Sequence, residues 1–169
     1  MTERLFALTY WRPWPTLILR TDAGRKDCEN RGQPPPRHLI GKRVAVHAGK
    51  KYGLGAWPFD GAPPADADCP LGIVGTVRIV GVLDARKPTS SVVMLERYLG
   101  SLPWNDPTYL RVKTLDRSPW WAGPVGILVE EPITLPRPIA INGAQGWWPV
   151  PVGVAAQVAE QEAEVRRAA

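Results

Sequence analysis

Proline sets the limits on what this chain can fold into. Nineteen of its 169 residues are proline, three of them consecutive at Pro34-Pro35-Pro36. Proline lacks the backbone N–H and disrupts helix interiors and central strands, so it favours loops, edge strands and sharp turns over long helices. Eight tryptophans accompany the prolines. Each indole brings a large apolar area with one N–H donor, suited to a core or to stacking on a planar ligand.

Between the prolines the strand signals are short. Leu5 to Tyr10 reads as a first strand, and Trp11 to Trp14 turns the chain. Pro15 to Arg20 starts a short helix, with proline tolerated in its first turn and Gly24 beyond its end. Lys26 to Arg31 reads as a second strand and Arg43 to Ala48 as a third. Residues 49–67 are expected to form a long loop. Gly72 to Asp84 is the longest strand, its glycines marking a bulge or bend. Residues 92–99 read as helical, Val125 to Glu130 as a strand, residues 133–141 as a proline-broken edge segment and residues 143–150 as the segment that closes the sheet. Val154, Val158 and Val165 share one side at helical spacing, which predicts a C-terminal helix whose Arg166-Arg167 end suits the helix dipole. The expected fold is mixed α+β: a small β-barrel over 1–150 with peripheral short helices, then a helical extension over 151–169.

The composition is that of an ordinary globular domain, 44% hydrophobic and 22% charged, and the length suits one core. The formal charge of +5 is compatible with a polyanionic partner and equally with solubility alone. Two cysteines without CxxC spacing and two histidines argue against a zinc site; no metal and no cofactor are expected. Met1-Thr2-Glu3-Arg4 leads into a strand rather than an apolar leader, and no run reaches membrane-span length. A reduced cytoplasmic protein is expected, with Cys28 and Cys69 unpaired.

The chemistry concentrates in three places. Gly24-Arg25-Lys26-Asp27-Cys28-Glu29-Asn30-Arg31 mixes cations and carboxylates within eight positions. Upstream lies Tyr10-Trp11-Arg12-Pro13-Trp14-Pro15, and downstream His47-Ala48-Gly49-Lys50-Lys51 ends a strand. These three pieces are expected to meet at one cleft. Lys26, Arg31, Lys50 and Lys51 are candidate phosphate contacts, which give affinity and salt dependence but no base reading. Glu29 opposes phosphate, so it either pairs with Lys26 or Arg31 or accepts from the amino edge of a base. Strand alternation puts Asp27, Glu29 and Arg31 on one face, so Lys26 must sit before regular pairing begins to work with Glu29. Trp11 and Trp14 either stack on bases or fill the barrel end. In each of the pairs Trp120-Trp121 and Trp147-Trp148 one ring is expected inside and one outside. His47 either orients a ligand, acts as an acid–base group, or is a hydrogen-bonded structural histidine.

In order, Trp11-Arg12-Pro13-Trp14, Gly24 to Arg31, Gly41 to Lys50, Gly72 to Val77, Trp121 to Gly126 and Gly143 to Trp148 resemble the motifs of ASCH domains. These are the activating-signal-cointegrator homology domains of the PUA-like superfamily. The likeness covers roughly residues 5–150 and implies a PUA-like β-barrel with a cleft for RNA or another nucleic acid, Trp11, Arg12 and Trp14 belonging to its signature opening. One branch of the family consists of amidohydrolases acting on N4-acetylcytidine, with a lysine that Lys26 matches. That branch has a threonine where Glu29 stands, and its further glutamate has no assigned counterpart here. Glu29 and Arg31 after the lysine are instead the pattern of the cointegrator-like branch.

The leading expectation is a module that binds RNA, another single-stranded nucleic acid or a modified nucleobase in a basic, Trp-lined cleft. The alternatives are an amidohydrolase on acylated cytidine, with Lys26 and Glu29 catalytic, and a protein–protein interaction module using exposed tryptophans and the C-terminal helix.

Overall fold

A computed structural model describes residues 4–53, 62–86, 91–94 and 107–169. The fold is mixed α+β. Its elements are β1 (Phe6–Arg12), α1 (Trp14–Ile18), β2 (Cys28–Arg31), β3 (Arg43–Tyr52), β4 (Gly72–Asp84), β5 (Ser91–Met94), α2 (Pro107–Lys113), β6 (Val125–Ile139), β7 (Trp147–Pro149) and α3 (Val152–Ala168). The strands pair in the order β2-β6-β4-β3-β1-β7, with β5 added on β4. This order does not close on itself among the described residues. β1 runs parallel to β3, with Thr9 opposite His47, and antiparallel to β7. β2 lies antiparallel to β6, Glu29 opposite Ile127.

The chain divides into two compact units. One comprises Met1–Arg25, Arg43–Val77 and Glu131–Ala169; the other comprises Lys26–Lys42 and Arg78–Glu130. In the first, Ala7, Ala45, Ile73, Leu135, Ile139, Trp148, Val150 and Val158 form a buried cluster, with Val154 packed against it. The C-terminal helix thus docks through the valine side its periodicity predicts. The buried Gln161 of that helix accepts from the Arg137 N–H at 2.9 Å, supplying a partner for a strand donor. In the second unit Val112, Leu115, Val125, Ile127 and Leu128 are buried.

Several expectations are corrected. Residues 91–94, expected in part as a helix, are strand β5, with Val92 opposite Leu83 and Val93 opposite Val82. The β-branched Val92-Val93 pair favours a pleated surface over a helix; residues 95–99 lie outside the described residues. The strand at 125–130 and the edge segment as far as Ile139 are one strand, β6, which runs through the positive φ of Glu131 and keeps its prolines; residues 140–141 lie beyond its end. β3 extends to Tyr52, four residues into the expected loop, because its end pairs with Arg12 of β1. β2 begins only at Cys28, so Lys26 precedes regular pairing, as its partnership with Glu29 requires.

Candidate functional site

Within the second unit Lys26, Glu29 and Arg31 build a closed ion cluster. Lys26 is 5% exposed and Glu29 6%. The Lys26 ammonium donates to Glu29 Oε2 at 2.9 Å and to the Cys28 carbonyl. Arg31 Nε meets Glu29 Oε1 at 2.8 Å, and 29% of the Arg31 side chain is accessible. Both carboxylate oxygens are therefore engaged by cations, and the cluster carries one net positive charge. Burying such groups is tolerable only because they are paired, and removing one leaves the others uncompensated. Cys28 is fully buried beside them, and burial pushes its thiol up to about 12. A thiol held in that state is unreactive at neutral pH.

Asn30, which lies in the Gly24–Arg31 motif but has no role assigned from the sequence, ties this stretch to the Trp120-Trp121 pair. Its amide donates to the Trp120 carbonyl at 2.7 Å and accepts from the Ala122 N–H at 2.8 Å. Asp27 meets Ser118 Oγ at 3.3 Å and Arg111 at 3.7 Å. Trp120 is buried and Trp121 partly exposed; Trp148 is buried and Trp147 partly exposed. Each pair divides as expected.

The first unit holds the aromatic-proline segment and the end of β3. Arg12 is a clamp. Its Nε donates to the Gly49 carbonyl at 3.1 Å and Nη2 to the Lys50 carbonyl at 2.7 Å. Nη1 reaches the carbonyls of Asp66 and Cys69 and pairs with the Asp66 carboxylate. A guanidinium has five N–H donors, and this one is committed to holding three chain segments together. The neighbouring side chain, Trp11, is 51% exposed. The Lys51 ammonium lies 3.6 Å from the centre of its ring, a cation–π contact. The Gly53 backbone approaches the same ring. Lys50 is also exposed. Trp14, half-buried, starts α1 rather than joining this exposed group.

His47 takes the hydrogen-bonded structural part. It is 3% exposed, its Nε2 lies 3.0 Å from the Ile141 carbonyl, and Trp148 packs edge-on at 5.5 Å. Trp148 Nε1 donates to Thr9 Oγ1 at 3.0 Å, and Thr9 donates to the Ala144 carbonyl at 2.9 Å. Thr9 and Trp148 are not readable as site residues from sequence, because their link is a register between strands far apart in the chain.

The structure thus gathers Lys26, Glu29 and Arg31 in one unit, and Trp11, Arg12, Lys50 and Lys51 in the other, with His47 in the same unit as the latter. Among the described residues no group of three or more His, Cys, Asp or Glu side chains is arranged to hold a metal ion. No described helix is long and apolar enough to cross a membrane. Both cysteines are free. No family model matches the chain, and no curated protein matches it significantly.

Proposed function

We propose that the protein is a nucleic-acid-binding module of the PUA-like, ASCH kind, built on a small barrel and taking single-stranded RNA or a modified nucleobase. The observation that carries this reading is the exposed indole of Trp11, with Lys51 at 3.6 Å and Lys50 next to it. An aromatic face with adjacent cations suits a base and its phosphate together, whatever the base. The Arg12 clamp supports the reading further, since it fixes the backbone that carries the two lysines. A rigid platform loses less entropy on binding than a mobile one. The test is titration of short single-stranded RNAs against the wild type and Trp11→Ala. Affinity for every sequence should fall together, by about 1–3 kcal/mol. Equal affinities would remove the platform from the interface.

A second reading, the amidohydrolase, has one observation in its favour: a buried lysine in contact with a buried carboxylate. To attack an acyl group, Lys26 would have to release both Glu29 and the Cys28 carbonyl. Incubation with N4-acetylcytidine decides it, since release of acetate requires a turnover that a binding module lacks.

A further inference from the structure

A cavity of about 730 Å³ lies in the first unit, lined among others by Thr9, His47, Gly49, Lys50, Leu71 and Gly143. That volume falls in the range of small-ligand sites. One wall is the segment 140–146, which carries no regular structure. Thr9 and His47, register partners on β1 and β3, hold this strap through the Ala144 and Ile141 carbonyls. A carbonyl only accepts, so the proton of the neutral ring sits on Nε2 and Nδ1 is an acceptor. Nδ1 is buried and has no hydrogen-bond partner among the described residues. The strap closes against it at Gly143, where a Cβ would come within 2.5 Å of both Nδ1 and Thr9 Oγ1. Only glycine lets the strap lie there, and in that position it leaves a buried acceptor unsatisfied, which is costly.

The rest of the lining is complementary in kind. Lys50 is an exposed cation and Leu71 an exposed apolar side chain. The register of β3 against β1 shifts between Ala48 and Tyr52, and His47, Gly49 and Lys50 line the same cavity.

We propose that this cavity is a pocket for a single nucleotide, entered by lifting the strap. An amino or ring N–H group of the base donates to His47 Nδ1, the base lies against Leu71, and Lys50 takes the phosphate. The choice of a nucleotide as ligand rests on the proposed function; the open acceptor and the strap do not.

The test titrates the four nucleoside 5′-monophosphates into the full chain, reading the His47 ring nitrogens and the Gly143 amide by NMR. At least one monophosphate should move both, and Lys50→Ala should weaken that binding about tenfold. His47→Gln keeps a donor for Ile141 but has no acceptor at the Nδ1 position, and should also weaken it about tenfold. Gly143→Ala wedges a methyl between Thr9 and His47 and should hold the strap off. Because the open state is then already populated, affinity should rise, by about tenfold. The Gly143→Ala arm decides if His47→Gln fails to fold. Unmoved His47 and Gly143 signals at saturating monophosphate overturn the pocket, as do variants that all bind like the wild type. Titration of single-stranded RNA in parallel separates the two readings: monophosphate binding at His47 without RNA binding would keep the pocket and remove the platform.

Discussion

The two basic regions of this protein are opposites in construction. Lys26, Glu29 and Arg31 are charges turned toward one another, two of them almost fully buried. Trp11, Lys50 and Lys51 are exposed, and the arginine beside them is committed to backbone carbonyls and to Asp66. The Lys26–Arg31 region is richer in charge by sequence, yet its charges are compensated internally. The Trp11 region reads by sequence as a proline-bound turn, yet it presents an aromatic ring and cations to solvent. Density of charged residues therefore says little about which surface meets a ligand; what counts is whether each charge already has a partner.

The largest effect expected from this contrast is on stability. Glu29→Ala leaves Lys26 and Arg31 without their carboxylate in a water-poor site and should cost about 3–5 kcal/mol, read from urea unfolding. Replacing Lys26 and Glu29 together by Met and Leu should recover most of that loss. A Glu29→Ala loss below about 1 kcal/mol, the range of exposed pairs, would break the contrast by showing that the cluster is effectively solvated.

Trp11→Ala addresses the other side. Its loss of about 1–3 kcal/mol in RNA affinity should come with a change of less than about 0.5 kcal/mol in stability, because half the ring is already in water. The two substitutions should thus separate cleanly, one moving the unfolding midpoint and the other the binding isotherm. A Trp11→Ala variant that unfolds early and binds normally would reverse the assignment.

What is legible in the sequence follows from the range of the interaction. The C-terminal helix is readable because Val154 and Val158 repeat within one element. The Lys26–Glu29–Arg31 cluster is readable because its members lie within six residues, and alternation already requires Lys26 to precede the strand. Residues 92–94 mislead because a short apolar run does not distinguish helix from strand, and it is pairing with Gly81–Asp84 that decides Ser91–Met94. The Arg12 clamp and the Thr9–Trp148 and His47–Ile141 links are invisible because each joins positions more than 30 residues apart. The partners of Arg12 are unreadable for the same reason: apart from Asp66 they are carbonyls, which no residue type announces.

Cys28 sharpens the contrast through pH. Burial pushes its thiol from an ordinary 9.0 up to about 12, with Glu29 and Asp27 adding to the rise and Lys26 opposing it. Below pH 9 the folded and unfolded chains both hold the proton. Above it the unfolded thiol ionises and the folded one does not, so stability should fall with rising pH, at up to ~1.4 kcal/mol per unit. Cys28→Ala should lack this part of the alkaline loss when the two unfolding profiles are subtracted. Superimposable profiles would mean that water reaches the thiol, and with it the ion cluster.

The smallest expected effects lie in the salt dependence of binding. For single strands each phosphate contact contributes about −0.7 to the slope of log affinity against log salt. With Lys50 and Lys51 as the two exposed contacts the wild type should show a slope of about −1.4. Lys50→Ala and Lys51→Ala should each make it shallower by about 0.7. They should differ at high salt, where exposed charges are screened. Lys51 also lies over the Trp11 ring, and losing that contact removes about 0.5–1 kcal/mol of orientation for the indole that salt does not mask. Arg12→Met is the control with the opposite signature: stability falls as the clamp on Gly49 and Lys50 is lost, while the slope stays, because its guanidinium is already paired. A shallower slope for Arg12→Met, with unchanged slopes for both lysine variants, would mean that the phosphate contact runs through the clamp and that the exposed lysines only keep the protein in solution.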